Sequence, residues 1–541
     1  MKGSKITWLS QAFTDAISRW SELNDGTCVG KKFGWMVVGV AVSYTSTVLI
    51  LSFMNTAGFP VIFAASLPLV LFCLMSHVAK IGAGVSTDYS DWVSVRKVFA
   101  FVLIPYLILA IFGWFASPDT EWQWRQVLGI EPFDDWHPVI HTALIYVAAL
   151  LRKSIRVVVM VQVVVFSVLI AWLYSTLRRY GYNKRLSYIV VLLAVANPFT
   201  TSLLRVPWKD TALAMTGLAV TVCLINILQT KGAWLSGKRL VGFAVLLFFA
   251  SFLRHNGFFY SLPLAIILPF SVSRANRGRA VACVALAAMV SSSYVAVRGY
   301  WIKVGIIGEK RQSQGVSYQG FAESVGLPMC IMAESYVIHP EKTPADVSAF
   351  LETMCDRDFW VQNYDGDFNS VKFRCQKGPT GPKIAAVGKE RFFRMFVDVV
   401  KANPVSAIKS FLHVTSQAWA PFPKTIGNAV ACAGTDLVAT DINVYQQMVL
   451  LSPFGAISSA PGFYLLCIIL ATCYGVLKNG FRVCVLSLPF ILYQFGTMLF
   501  LSGFDYRFFY ITVLSGGTVC LVLFRGTTFG DRPHNSSHSA L

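Results

Sequence analysis

Charged residues are scarce in this sequence. Asp, Glu, Lys and Arg make up 13% of the 541 residues, whereas hydrophobic residues make up 55%. Because soluble domains carry about 25% charged residues, the composition excludes a protein built from one or two large soluble domains. Apolar runs of about 20 residues recur along the chain, and a helix of that length crosses a bilayer. The sequence therefore predicts a mainly α, polytopic membrane protein.

Nucleotide-binding and metal-binding signatures are also absent. The chain has no G-x-x-x-x-G-K-[ST] and no G-x-G-x-x-G, so neither nucleotide-driven transport nor a soluble nucleotide-sugar domain is indicated. His137 and His141 would share one helical face, but no Glu stands between them as in H-E-x-x-H, and no C-x-x-C occurs. We predict no cofactor and leave a divalent metal open. A sugar donor without a nucleotide would be a lipid phosphate, reached from the bilayer.

Negative charge is in the minority, and the formal net charge is +19. The Lys and Arg residues cluster in short loops between apolar runs, as the positive-inside rule expects of cytoplasmic loops. No basic face on a soluble domain is indicated, so we predict no nucleic-acid partner. Applying the rule along the chain predicts about twelve spans with both termini in the cytoplasm. The predicted spans are 35–52, 59–78, 98–115, 157–177, 186–204, 211–229, 240–253, 258–272, 280–297, 461–477, 483–501 and 508–524.

These spans divide the chain into five parts. Residues 1–34 form a cytoplasmic amphipathic segment, and residues 35–297 form an N-terminal membrane bundle that includes an outer loop at 117–156. Residues 298–459 have no credible span and are predicted to form an extracytoplasmic domain. The C-terminal spans occupy 460–525, and a polar cytoplasmic tail follows at 526–541. Within the outer loop, 138–151 is apolar but too short to span, and we interpret it as an interfacial or re-entrant helix.

Four cysteines fall in the predicted extracytoplasmic domain: Cys330, Cys355, Cys375 and Cys432. An oxidising compartment would favour disulfide bonds among them. Four cysteines allow three pairings, and the sequence leaves the pairing open.

Polar residues concentrate in the predicted outer loops. Basic residues there run against the positive-inside bias, and a bound anion would explain them, because Arg and Lys bind phosphate. The alternative is that each cation pairs with a nearby carboxylate, such as Lys209 with Asp210 or Arg507 with Asp505. Asp119 follows Pro118 at the end of a span and is the leading candidate for a general base; the alternative is an N-cap of the next helix.

Several short motifs in these loops resemble those of bacterial polytopic glycosyltransferases of the GT-C type. The motifs are Ser117-Pro118-Asp119, Gln123 with Gln126, Trp136 to Thr142, Pro207 to Asp210, Arg254 to Gly257, Tyr364 to Lys372 and Asp505 to Tyr510. The resemblance covers residues 98–524. Phage-type enzymes that modify O-antigen share this general architecture.

The resemblance implies a glycosyltransferase in the bacterial inner membrane, with its site facing the periplasm. It would move a sugar from a polyprenyl-phosphate donor to a glycan or glycolipid of the cell envelope, such as the O-antigen of lipopolysaccharide, with inversion. The expected catalytic residues are Asp119, Glu121 and His137. The residues expected to bind the donor phosphate are Arg205, Lys209, Arg254 and Arg507. The residues expected to contact the acceptor or the sugar are Trp122, Asp134, Asp135, His141, Asp210, Asn256 and Asp505.

Two other functions remain open from the sequence. A flippase or secondary transporter of lipid-linked sugars would carry polar or helix-breaking residues at mid-span and two related halves. The polar residues lie instead at the outer ends of spans, and no half repeat is seen. A polysaccharide polymerase also combines many spans with a large outer loop.

Overall fold

A computed structural model describes residues 92–525 apart from 113, 115, 309–311, 314–315, 318–320, 322–323, 373, 376, 422–458 and 502–504. The predicted N-terminal segment, the first two predicted spans, Cys432 and the C-terminal tail lie outside the described residues.

The described chain is mainly helical. The helices are α1 Trp92–Phe112, α2 Pro118–Val127, α3 Val139–Ala149, α4 Ile155–Arg179, α5 Lys184–Val195, α6 Pro198–Leu203, α7 Lys209–Gln229, α8 Gly237–Phe252, α9 Phe258–Ser271, α10 Arg277–Lys303, α11 Gly326–Ile338, α12 Ala345–Met354, α13 Arg357–Asn363, α14 Phe368–Lys372, α15 Thr380–Val387, α16 Lys389–Ala402, α17 Pro404–Trp419, α18 Pro461–Asn479, α19 Leu488–Met498 and α20 Tyr510–Arg525. Short 3-10 helices cover Arg274–Asn276, Pro340–Lys342, Phe481–Leu486 and Tyr506–Phe509. Two antiparallel strands, β1 Gln312–Ser313 and β2 Val316–Ser317, form a small hairpin.

Six helical segments of the described chain are long and apolar enough to cross a bilayer. They are Ser94–Ile111, Ile155–Arg179, Lys209–Gln229, Arg274–Lys303, Pro461–Asn479 and Tyr506–Arg525. Each overlaps one of the predicted spans. The protein is therefore a helical membrane protein with six such segments among the described residues.

Four further predicted spans do not form long continuous helices. The one at 186–204 is broken at Asn197, whose side chain accepts a hydrogen bond from the Phe199 backbone N (2.9 Å) and so starts a new helix at Pro198. The one at 483–501 begins as a 3-10 helix and continues as α19. Those at 240–253 and 258–272 form helices of only 16 and 14 residues. The apolar stretch 138–151 forms α3, an 11-residue helix.

The bundle has two chemically different ends. At one end, Arg525 donates hydrogen bonds to the carbonyls of Tyr180 (2.9 Å) and Gly181 (2.8 Å), and Asn276 donates to the carbonyl of Lys231 (3.1 Å). This end also carries the basic stretches at 178–185, 231–239 and 274–279. Because α7 starts at Lys209 and ends at Gln229 beside this basic end, Lys209 lies at the opposite end.

A second hydrophobic core is built by α11 to α17, within the predicted extracytoplasmic domain. Trp360 is completely buried there, and a disulfide bond joins Cys355 to Cys375. Cys330 is buried with a free thiol. This core also includes Met498, Leu501 and Phe509, so it packs on the C-terminal helices. The predicted start of the domain at 298 falls inside α10, which continues to Lys303.

Candidate functional site

Asp119 lies in the first turn of α2, at the end of the bundle opposite the basic end. Ser117 caps this helix, because its Oγ accepts a hydrogen bond from the Thr120 backbone N (3.1 Å). The alternative role of Asp119 as the N-cap is therefore excluded. The indole N–H of Trp208 donates to the same Ser117 Oγ, which ties the start of α2 to the residue before Lys209.

The Asp119 carboxylate is surrounded by groups from three distant segments. Its Oδ2 lies 3.3 Å from Arg507 Nη1 and 3.7 Å from Lys209 Nζ. Its Oδ1 lies 4.0 Å from His137 Nε2. The side chain is 27% exposed, so it remains open to an incoming molecule.

His137 links Asp119 to Lys209. Lys209 Nζ is 2.9 Å from His137 Nδ1. An ammonium group only donates hydrogen bonds, so Nδ1 is the acceptor and the ring proton belongs on Nε2, the nitrogen that faces Asp119. The buried imidazole therefore orients the lysine and the carboxylate relative to each other.

A second group of charges adjoins the first through Arg507. Arg254 forms an ion pair with Asp210, whose side chain is only 1% exposed. Arg507 Nε lies 2.6 Å from Asp505 Oδ2 and 3.9 Å from Asp210 Oδ2. Burial lowers the pKa of Arg254 from its usual value. The carboxylates of Asp505 and Asp119 oppose that effect, because an opposite charge nearby favours the charged form.

Aromatic rings support both guanidinium groups. Arg254 Cζ lies 3.8 Å from the centroid of the Phe508 ring, and Arg507 Cζ lies 4.8 Å from that of Trp208. The face of an aromatic ring attracts a cation within about 6 Å. The two rings thus fix the planes of the guanidinium groups without using their N–H donors.

Several of the other predicted site residues bond to protein groups nearby. The Trp122 indole donates to Asp134 Oδ2 (2.9 Å), and Arg298 donates to Asp135 through Nε (3.0 Å) and Nη2. These contacts hold the loop that carries His137. They give Trp122, Asp134 and Asp135 structural roles beside any contact with a sugar.

Asp119, Lys209, Asp210, Arg254, Asp505 and Arg507 form the charged cluster of the site. His141 and Asn256 lie next to this charged cluster rather than in it. His141 Nδ1 donates to Gln123 Oε1 (3.1 Å), and Asn256 Nδ2 donates to Thr497 Oγ1 (2.7 Å). Burial, followed by the charge of Lys209, lowers the pKa of His141 to about 3. His141 is therefore neutral at physiological pH and adds no charge to the site.

Two predicted site residues differ from the cluster in exposure. Glu121 is exposed and makes no ion pair within the part of the chain that the structure describes. Arg205 is almost completely buried between α6 and α7, and burial lowers its pKa to about 10, so it stays a cation at neutral pH. No group of three or more His, Cys, Asp or Glu side chains arranged to hold a metal ion occurs among the described residues.

Comparisons with protein-family models, with curated proteins and with solved structures found no match. The site is therefore interpreted from its own geometry.

The sequence indicated most of the charged residues of the site, and its motifs contain several of the residues that position them, but it did not indicate that positioning role. Ser117 bonds to Trp208, whose ring supports Arg507, and Phe508 lies against Arg254. Arg298 holds the loop that carries His137, and Gln123 holds the neutral His141. The signal available for Ser117 was its place before a proline at a helix start. Arg298 gave no local signal, because its partner Asp135 is 163 residues away.

The arrangement combines a partly exposed carboxylate with three cations at one end of a membrane bundle. A carboxylate can accept a proton from a hydroxyl group, and fixed cations can stabilise negative charge that develops on a leaving group. His137 positions the carboxylate and the lysine. The site thus has the groups that a transfer reaction with an anionic leaving group requires.

Proposed function

We propose that the protein is an integral-membrane glycosyltransferase of the GT-C type. It transfers a sugar from a polyprenyl-phosphate donor to a glycan or glycolipid of the bacterial cell envelope, such as O-antigen, and inverts the anomeric carbon. The observation that carries the proposal is the convergence of two cations on one carboxylate oxygen: Lys209 Nζ and Arg507 Nη1 lie 3.7 Å and 3.3 Å from Asp119 Oδ2.

Asp119 is the base in this proposal. Its carboxylate takes the proton of the acceptor hydroxyl while that oxygen attacks the anomeric carbon and the bond from the sugar to the phosphate oxygen breaks. Lys209, Arg254 and Arg507 stabilise the additional negative charge on the released lipid phosphate. Such electrostatic stabilisation is often the largest single contribution to catalysis.

The location of the charges supports a donor that is held in the membrane. The charged groups lie at the ends of membrane-spanning segments, where the headgroup of a lipid lies. The disulfide bond between Cys355 and Cys375 supports placing the second core outside the cytoplasm, since such bonds persist in oxidising compartments. The inner membrane, with the site facing the periplasm and both termini in the cytoplasm, is part of the same proposal.

The test compares binding and turnover in Asp119→Asn. Purified protein in lipid nanodiscs receives a panel of polyprenyl-phosphate sugars and an envelope glycan, and product is measured by mass spectrometry. We expect the variant to bind the donor at least as tightly as the unchanged protein, because it loses a negative charge beside Lys209 and Arg507. We expect it to lose turnover by about 10²-fold or more. Glu131→Gln, which removes a charge from the partly exposed pair with Arg125 (3.1 Å), serves as the matched control and should retain turnover.

The same assay separates the alternatives. A flippase or transporter of lipid-linked sugars moves the donor across the nanodisc or vesicle bilayer without forming a new glycosidic bond, and Asp119→Asn should leave that movement largely intact. A polymerase extends a glycan by many repeating units rather than one residue. Failure of the unchanged protein to bind any lipid-linked sugar would remove the glycosyltransferase proposal.

A further inference from the structure

The charges of the candidate site cancel. Three carboxylates face three cations, so the formal charges sum to zero when the His137 imidazole is counted as neutral. These residues are Asp119, Asp210, Asp505, Lys209, Arg254 and Arg507. A phosphate anion that enters this partly buried site adds negative charge with no surplus cation to meet it. Anion binding is therefore favoured if one carboxylate withdraws from its cation.

Two of the three carboxylates are held by several partners. Asp210 is 1% exposed and pairs with Arg254, so its movement would leave a buried charge without its counter-ion. Asp119 contacts Lys209 and Arg507 together and also faces His137. Neither carboxylate can leave without disrupting more than one contact.

Asp505 differs from both in its contacts. Its hydrogen bonds and ion pair within the described part of the chain all go to Arg507, and its side chain is 24% exposed. Oδ1 accepts from the Arg507 backbone N (3.2 Å) and caps the 3-10 helix Tyr506–Phe509, while Oδ2 accepts from Arg507 Nε (2.6 Å). Of these two contacts, only the one with Nε involves the guanidinium group.

We propose that Asp505 occupies on Arg507 the place of a phosphate oxygen and gives way when a phosphate monoester or diester binds. A guanidinium group binds carboxylate and phosphate through the same pairs of N–H donors, so the two compete for one position. This inference deepens the proposed function, on which it rests for the identity of the anion as the donor phosphate. It replaces the sequence-based expectation that Asp505 contacts the sugar.

The variant Asp505→Asn isolates this competition. Asn is as good a helix cap as Asp, so it keeps an acceptor for the Arg507 backbone N while it removes the charge that competes at Nε. Asp505→Ser is the second variant, because Ser also caps helices but is too short to reach the guanidinium group. Glu131→Gln removes one charge from a partly exposed pair elsewhere and is the matched control.

The measurement is the Kd of the full-length protein in nanodiscs for two probes. The first is a polyprenyl monophosphate without a sugar, and the second is inorganic phosphate. We expect both Asp505 variants to bind the phosphate group about three- to tenfold more tightly, which is the effect of removing one partly exposed competing charge. The control should bind as the unchanged protein does.

The outcomes show whether a lipid headgroup or the phosphate group itself is recognised, and they test the role of Asp505 separately from the proposed transferase function. Tighter binding of the lipid probe alone supports the inference with a lipid headgroup as ligand, and tighter binding of both supports it with the phosphate group itself as the recognised part. Unchanged or weaker binding of both probes in both variants overturns it, because Asp505 would then hold Arg507 in place. Neither probe carries a sugar, so a protein that transfers nothing can still support the inference, and an active transferase can still contradict it.

Discussion

Burial distinguishes Asp210, which we expect to stabilise the fold, from Asp505, which we propose gives way to phosphate. The Asp210 side chain is 1% exposed and neutralises Arg254, whereas the Asp505 side chain is 24% exposed. Removing one partner of a buried ion pair costs about 3–5 kcal/mol, because the other charge stays buried without a counter-ion. The same change at a partly exposed pair costs about 1 kcal/mol or less.

Asp210→Asn should therefore destabilise the protein far more than Asp505→Asn does. We expect the loss for Asp210→Asn to be about 3 kcal/mol or more, measured as a shift of the chemical unfolding midpoint in detergent at neutral pH. Similar midpoints for the two variants would show that the ion pair with Arg254 is not a buried one in solution.

The titration of His141 makes the free energy of unfolding depend on pH in a defined direction. The pKa of His141 in the folded protein is about 3, below its usual value of 6.5. Between these two pH values the imidazole is protonated in the unfolded chain but not in the folded one. Its contribution to stability is therefore present above pH 6.5 and is lost progressively as the pH falls from 6.5 towards 3.

We predict that the unfolding free energy falls by about 2–3 kcal/mol between pH 8 and pH 4.5 through His141 alone. In His141→Gln, which keeps a donor for Gln123, this part of the decline should disappear. The measurement is the unfolding midpoint of both proteins across that pH range. Parallel curves for the two proteins would contradict the neutral, buried imidazole.

At the scale of helices, glycines mark where two segments touch. A Cβ at Gly462, in the first turn of α18, would overlap the backbone of Trp419 and Ala420 at the end of α17. At Gly517, within α20, a Cβ would meet nothing within 4 Å. The first glycine thus permits the contact that joins the second core to the bundle.

Gly462→Ala should destabilise the protein by about 1–3 kcal/mol, because a backbone cannot move aside as a side chain can. Gly517→Ala, the matched control, should be neutral or stabilising by about 0.5–1 kcal/mol, since Ala is the better helix former. Thermal unfolding of both variants in detergent checks this. A stable Gly462→Ala protein would show that α17 and α18 lie further apart.

For the whole molecule, composition and the positive-inside pattern predicted the helical membrane class and the end at which the charges lie. They could not predict the partners. Lys209 and Asp210 are neighbours in sequence, but successive helical residues point about 100° apart, so Lys209 faces Asp119 and Asp210 faces Arg254. The local pair of Arg507 with Asp505, which the sequence offered as the alternative to anion binding, is present.

Helix breaks were the other feature that hydropathy did not resolve. Hydropathy averaged over residues 186–204 predicts one span, although Asn197 followed by Pro198 is a helix-start signal. In the structure this pair ends α5 and starts α6. Hydropathy measures burial preference over a window, whereas a cap acts at one residue.

We predict that two exposed residues, Glu121 and Lys238, lie on opposite sides of the membrane. Glu121 lies two residues after Asp119 in α2, and Lys238 lies at the basic end. In intact cells, a membrane-impermeant maleimide should label Glu121→Cys above the background of the native cysteines, and should label Lys238→Cys only after permeabilisation. The reverse pattern would place the site in the cytoplasm.

The stereochemistry of transfer is the most direct test of the account. Purified protein is given a polyprenyl-phosphate sugar of known anomeric configuration, and the configuration of the product is determined by NMR. A single displacement with Asp119 as base inverts that configuration and releases polyprenyl phosphate. A product of retained configuration, or no new glycosidic bond with any lipid-linked donor, would contradict the account.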